Sequence, residues 1–368
     1  MGRGGDHGPA CGLFLRRGLI PGNPADGAAP AHAAPMSQRK QNYDVHGMPL
    51  TVEAESASLL RPVEAILGPF VTARPTRAAF ALRLCYGKAP TDGTPGGLRL
   101  FWEGTLPGGT ELAYYTGPSA RRVTQPGLTD LHMDLRLRKA CATVARGAEQ
   151  SIGYGCLVPV LSEFLPQTGQ HVVHGASLWV REGRKRLAVL LSGPAGSGKT
   201  TAALALAGAG MSLMADDASV VTTRRRRRNG PVVVWGLPRP CKVHRQTVAL
   251  LPWLSKLPRR PLKAEGECLV HLADVAQVDP RREVEVGLVL WLGKRSRAGH
   301  RVQRLDPVAA ISLLARESLR AVDTSRDGPA GRAFGVLAAL VRQCPVYSLG
   351  AGARPETLHE TVLPLLRT

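Results

Sequence analysis

The chain has 368 residues, with 48 Lys and Arg against 28 Asp and Glu, a formal charge of +20, and it is 44% hydrophobic and 21% charged. That length allows two domains, and so apolar a composition excludes wholesale disorder and suffices for a large buried core. With 41 Gly and 29 Pro the chain is loop-rich, yet it falls short of low-complexity sequence.

Residues 1–40 are rich in Gly, Ala, Pro and Arg, show no periodicity and are expected to be disordered. Leu13-Phe14-Leu15 precedes Arg16-Arg17, the reverse of the order in a secretory signal. No apolar run approaches the ~18 residues a membrane helix needs, so the expectation is a cytoplasmic protein with no membrane partner. Met36 opens more ordinary sequence and is a second candidate start of translation.

Residues 41–148 alternate short apolar runs with turn signals and read as a small α+β domain without a catalytic signature. Leu59 to Leu67 is expected to be helical, and Ala79–Leu84 and Leu98–Trp102 to be strands. Thr110–Tyr115, after the turn Pro107-Gly108-Gly109, completes a hairpin. The second domain is placed at 149–368. It opens with Ile152, Cys156, Leu157, Val160, Leu161 and Leu165 at helical spacing over 149–168. Two strands follow, His171–Val180 and Arg186–Ser192, joined by Glu182-Gly183-Arg184.

The second strand runs into Gly193-Pro194-Ala195-Gly196-Ser197-Gly198-Lys199-Thr200, a full match to G-x-x-x-x-G-K-[ST], with Thr201 directly after it. A buried strand before it and the predicted helix Thr200–Ala209 after it supply the strand–loop–helix context the motif needs. Glycines let successive N–H groups turn inward on phosphate oxygens, and the helix N-terminus adds its positive end. Lys199 can reach the outer phosphates and the Thr200 hydroxyl can ligate Mg²⁺, so ATP and Mg²⁺ are the expected ligands.

One helix later, Met211–Ala215 reads as a strand ending in Asp216-Asp217. Strands around such a loop end near the phosphates, so one carboxylate can join the Mg²⁺ shell while the other faces an acceptor hydroxyl. Arg224–Arg228 with Asn229-Gly230 lies between the strands Ser219–Val221 and Val232–Trp235, which predicts solvent-exposed cations at a hairpin tip. Further on, Val284–Trp291 reads as a buried strand, with Lys294 and Arg295 after it. Asp306 caps a helix through Ile311 and Leu314, and the helices Gly331–Arg342 and Pro355–Leu366 flank the strand Val346–Leu349.

An Asp-Asp strand so soon after the loop resembles the catalytic domain of HPr kinase/phosphorylase and the wider set of HPr-kinase-like P-loop proteins. Those proteins are distantly similar to the ATP-dependent phosphoenolpyruvate carboxykinase fold. The resemblance covers about 150–366 and is carried by Val173-His174-Gly175, Gly193–Thr201, Leu213–Asp217 and Gly236-Leu237-Pro238-Arg239-Pro240 with Lys242. It implies an α/β P-loop core preceded by the small α+β domain. By the same resemblance, Asp217 is the base toward the acceptor and Asp216 the Mg²⁺ neighbour, two roles that can be exchanged. His174 assists the base, and Arg239 and Lys242 steady the transferring phosphate or an acidic substrate.

The Glu-x-Arg-Gly signature of true HPr kinases is absent, so the resemblance does not extend to HPr as substrate, to the reverse reaction or to their hexameric assembly. Similar proteins of this second kind are often associated with modification of ribosomally made peptides. By resemblance, the expectation is a serine/threonine-type kinase phosphorylating a hydroxyl of a protein or peptide. The rival readings are an ATP-binding or ATP-hydrolysing regulatory protein and a small-molecule phosphotransferase.

Only nine of the 48 cations are Lys, and an Arg excess beside abundant Ala, Gly and Pro is what a GC-rich genome writes. Aromatic residues are 5% and are not interleaved with the cations, so nucleic acid is not an expected partner. Seven cysteines, Cys11, Cys85, Cys141, Cys156, Cys241, Cys268 and Cys344, stand singly without C-x-x-C spacing and read as reduced thiols.

Overall fold

A computed structural model describes residues 39–73, 80–89, 97–106, 109–224, 230–261, 266–275, 279–318 and 329–367. Residues 1–38, and the basic run beyond Arg224 up to Asn229, lie outside the described residues. The chain divides into two units whose boundary falls between Phe164 and Leu165. Residues 149–164, which the sequence places at the start of the second domain, therefore belong to the first. Ile152, Cys156, Leu157, Val160, Leu161 and Phe164 are all buried, and the Phe164 ring packs 5.0 Å from that of Phe80.

The first unit is a mixed eight-stranded sheet. Its strands are β1 (Arg39–Val45), β2 (Met48–Ala54), β3 (Phe80–Tyr86), β4 (Arg99–Thr105), β5 (Glu111–Thr116), β6 (Ala120–Gln125), β7 (Thr129–Asp134) and β8 (Lys139–Val144). They lie in the order β1-β2-β3-β8-β7-β6-β5-β4, and β3 runs parallel to both β2 and β8. Side chains alternate between buried and half-wet along β6, as a strand with one covered face requires. The helices are α1 (Ala57–Leu67), capped by the Ser56 side chain, and α2 (Val158–Phe164).

The second unit opens with the hairpin β9 (His171–Glu182) and β10 (Lys185–Ser192), then α3 (Lys199–Gly208), β11 (Ser212–Ala215), β12 (Ala218–Thr223) and β13 (Val232–Gly236). A small sheet is inserted next, built from β14 (Cys241–His244), β15 (Arg260–Pro261) and β16 (Glu267–Val270), with the short helices α4 (Arg245–Leu250) and α5 (Leu272–Val275). The main sheet resumes with β17 (Val284–Leu292) and β18 (Arg301–Arg304). It continues through α6 (Pro307–Ser318), α7 (Pro329–Gln343), β19 (Val346–Gly350) and α8 (Leu358–Leu365). Its order is β10-β9-β12-β13-β17-β19-β18, with β11 alongside β9 and a further β10–β17 pairing. The β10–β17 and β17–β19 pairs are parallel and the rest antiparallel. This is a mixed α/β architecture.

β10 reads as one apolar run because both its faces are covered. Val189 and Leu191 point into a core shared with Ala202, Ala203, Leu204 and Leu206 of α3. Ala188 and Leu190 point into a second core with Ala310 and Leu314 of α6 and Leu337 and Leu340 of α7. The strand is thus clamped between helices, and its C-terminal end is a rigid platform for the loop that follows.

Candidate functional site

The loop Gly193–Gly198 leaves β10 and enters α3. Gly193 has φ 147°, and a Cβ there would come within 2.6 Å of the Leu292 carbonyl oxygen, so no other residue lets β10 and β17 approach this closely. Gly196 and Gly198 also have positive φ. Ser197 Oγ is buried with no hydrogen-bond partner. Lys199 is 8% exposed and donates from Nζ to the carbonyls of Gly193 (2.8 Å) and Pro194 (3.0 Å). Burial is the main cause of a depressed Lys199 pKa, against the opposing pull of Asp217, Glu317 and Asp216. Thr201 turns to the Thr247 hydroxyl of α4, 2.9 Å away.

Sheet register brings three separate segments to the base of this loop. Ser192 pairs with Gly175 across β9–β10, and His174 pairs with Ala218 across β9–β12. A Cβ on Gly175 would meet the Leu191 carbonyl oxygen at 2.2 Å, which is the physical reason a glycine follows His174. Between β11 and β12, the Ala218 N–H bonds back to the Asp216 carbonyl at 2.9 Å while Asp217 holds φ 70°. That three-residue turn with a left-handed centre is strained for any side chain but glycine. It sends the two carboxylates in different directions.

Asp216 is 5% exposed, and the Thr200 hydroxyl lies 3.0 and 3.1 Å from its two oxygens. Burial, helped by the negative charge of Asp217, pushes its pKa up to about 6, against the pull of Thr200, Lys199 and Arg239. Asp217 is open to solvent, and its Oδ1 sits 2.9 Å from His174 Nε2. The hydrogen bond from His174 is the first cause that holds the Asp217 carboxyl below the usual range, and Arg239 and Lys199 add to it.

The charge of Arg239 thus reaches both aspartates. Lys242 is placed elsewhere: its Nζ pairs with Glu267 of β16 at 3.0 Å. Two neighbours escaped the sequence reading. Glu317 of α6 lies 3.8 Å from His174 Nδ1, and the fully buried Cys241 thiol feels the charge of Asp216. Burial, and then the charge of Asp216, raises the Cys241 thiol pKa well above its ordinary value. Neither residue sits in a local pattern that could have singled it out. Cys85, Cys156, Cys241, Cys268 and Cys344 carry free thiols.

Chemically, the arrangement offers an inward-turning backbone loop, an ammonium, a hydroxyl paired with a buried carboxylate, and an exposed carboxylate braced by an imidazole. The Thr200 hydroxyl and the Asp216 carboxylate form an oxygen donor pair of the kind Mg²⁺ takes when phosphates supply its remaining ligands. The orphaned Ser197 hydroxyl can be satisfied by a phosphate oxygen.

No family model matches the sequence, and no curated protein is significantly similar to it.

Among the described residues, no helix is long and apolar enough to cross a membrane.

Proposed function

We propose that the second unit is an HPr-kinase-like P-loop phosphotransferase that moves the γ-phosphoryl group of ATP to a serine or threonine hydroxyl of a protein or peptide. The observation that carries this reading is the 3.0 Å contact between Thr200 Oγ1 and Asp216, with Asp217 next in the chain and open to solvent. A simple nucleotide holder has no need of a second, outward-facing carboxylate aligned by a histidine.

In this reading Gly193–Gly198 and Lys199 hold the triphosphate, and Thr200 and Asp216 would hold Mg²⁺. The ion supplies neutralisation of charge on the β- and γ-phosphates. Lys199 leaves the Gly193 and Pro194 carbonyls to meet the outer phosphates. Asp217 orients the acceptor hydroxyl and takes its proton as the oxygen attacks phosphorus, while His174 keeps the carboxylate aligned. Arg239 steadies negative charge on the transferring group.

The test is incubation of the full chain with γ-labelled ATP and hydroxyl-bearing peptides, beside the Asp217→Asn variant. Label on Ser or Thr that disappears in the variant, with ATP binding retained, supports the reading. Transfer that persists at the wild-type rate in Asp217→Asn rules out the assigned base.

A further inference from the structure

One carboxylate beside the site has no part in the chemistry proposed above. Glu317 lies in the last turn of α6, the helix whose first turn is capped by Asp306 through the Val308 N–H at 2.8 Å. A negative charge at a helix C-terminus opposes the helix dipole and costs stability unless something offsets it. Its ion pair with Arg316, at 3.9 Å to an arginine 67% exposed, is a weak compensation. The stronger neighbour is His174, whose Nδ1 is 3.8 Å from Glu317 Oε2 while its Nε2 is 2.9 Å from Asp217 Oδ1. The imidazole is held between two carboxylates, one at each ring nitrogen, and Glu317 is the more shielded of the two acids.

We infer that Glu317 is a positioning residue of this site, acting through His174. It faces Nδ1 and stops the ring from turning about χ2, so that Nε2 stays on Asp217 Oδ1 and Oδ2 of the same carboxylate is left free. The inference rests on the phosphoryl-transfer reading. In that step the acceptor proton goes to Asp217 Oδ2 as the acceptor oxygen bonds to the γ-phosphorus and the bond to the bridging oxygen of ADP breaks. His174 and Glu317 exchange no proton.

The test compares full-length wild type, Glu317→Ala and Glu317→Gln in three measurements. These are Mg·ATP affinity, the rate of ADP release with water standing in for the acceptor, and the nitrogen-15 spectrum of the His174 ring, assigned with a His174→Gln control. For Glu317→Ala we expect ATP affinity and KM within about twofold of wild type, kcat lower by about tenfold, and altered His174 ring signals. Glu317→Gln, which keeps an acceptor facing the ring, should fall between the two.

An unchanged kcat in Glu317→Ala, or a lowered kcat with unaltered ring signals, overturns the assignment. If wild type releases no ADP and labels no hydroxyl-bearing peptide, the phosphoryl-transfer reading fails, and the ring spectrum alone judges Glu317: altered signals uphold its hold on His174 and unaltered signals remove it. Should Glu317→Ala not fold, Glu317→Gln carries the same comparison, with unaltered ring signals in it counting against the inference.

Discussion

The two units treat their buried charges in opposite ways. In the first, charged groups are matched to partners. Arg121, 5% exposed, bonds to Glu163 and to the carbonyls of Gly117 and Ala120, and Glu163 also accepts from Tyr114. Asp130 is gripped by both ends of the Arg122 guanidinium and by His132, and Glu149 accepts from Tyr86. Among the described residues its unpartnered buried side-chain atoms, Tyr43 OH and Thr116 Oγ1, are hydroxyls on different elements. In the second unit several exceptions meet at one loop: a buried aspartate, a left-handed Asp217, an orphaned Ser197 hydroxyl and a lysine folded onto its own loop, while His171 Nε2 and Ser318 Oγ are unpartnered as well. The first unit's left-handed non-glycine residues, His46 and Arg138, sit in turns between strands, whereas Asp217 combines that backbone with an exposed carboxylate beside a buried one, which singles out the loop of the second unit as the candidate site.

The contrast can be broken by experiment. The largest effect is expected for Asp217→Asn, which should lower phosphoryl transfer by about 10²–10⁴-fold with ATP affinity retained. Asp130→Asn in the first unit should leave turnover untouched, and equal losses in the two variants would erase the distinction. Next, Glu163→Gln leaves the Arg121 charge buried and uncompensated, so denaturant unfolding should show a loss of about 3 kcal/mol without a change in kcat.

Asp216→Asn should act in the opposite sense. A folded-state pKa of about 6, above the ordinary 3.8, means the charged form weakens the fold at neutral and higher pH. Without nucleotide or Mg²⁺, the variant should be more stable than wild type at pH 8 by up to about 3 kcal/mol, and the gain should fade as pH falls through 6 toward 3.8. In this variant the buried His171, its pKa pushed down to about 4 mainly by desolvation, should then dominate. A histidine kept neutral in the fold contributes stability that is lost as pH drops from about 6.5 toward 4, visible as a falling urea midpoint. The smallest effect on stability is expected for Asp217→Gly, which relieves the left-handed backbone and should stabilise the fold by about 1 kcal/mol, with transfer lost as in Asp217→Asn.

Much of the second unit was legible because its signals are local. The apolar run of β10, the glycine spacing after it, the small-residue helix α3 and the Asp306 cap each follow from a few neighbouring residues. The first unit was harder to read. β6, Ala-Arg-Arg-Val-Thr-Gln, and β7, Thr-Asp-Leu-His-Met-Asp, carry charges on a half-wet sheet, and Arg121 fills a buried position where an apolar residue would have marked the covered face. The segment 149–164 carries a helical pattern in either domain, so periodicity alone could not say which core it joins.

What the sequence determined by itself is the set of short-range elements. A glycine-rich turn between a buried strand and a helix, and a strand ending in two acids, are consequences of steric and hydrophobic preferences over fewer than about ten residues. Only the tertiary structure decided who meets whom: Thr200 with Asp216, His174 with Asp217 and Glu317, Cys241 behind Asp216, and Lys242 with Glu267 instead of with the aspartates. These encounters depend on strand order and register across a sheet whose neighbours are far apart in the chain. Hydrogen-bonded rungs and packed cores set that order, and no stretch of local sequence encodes it.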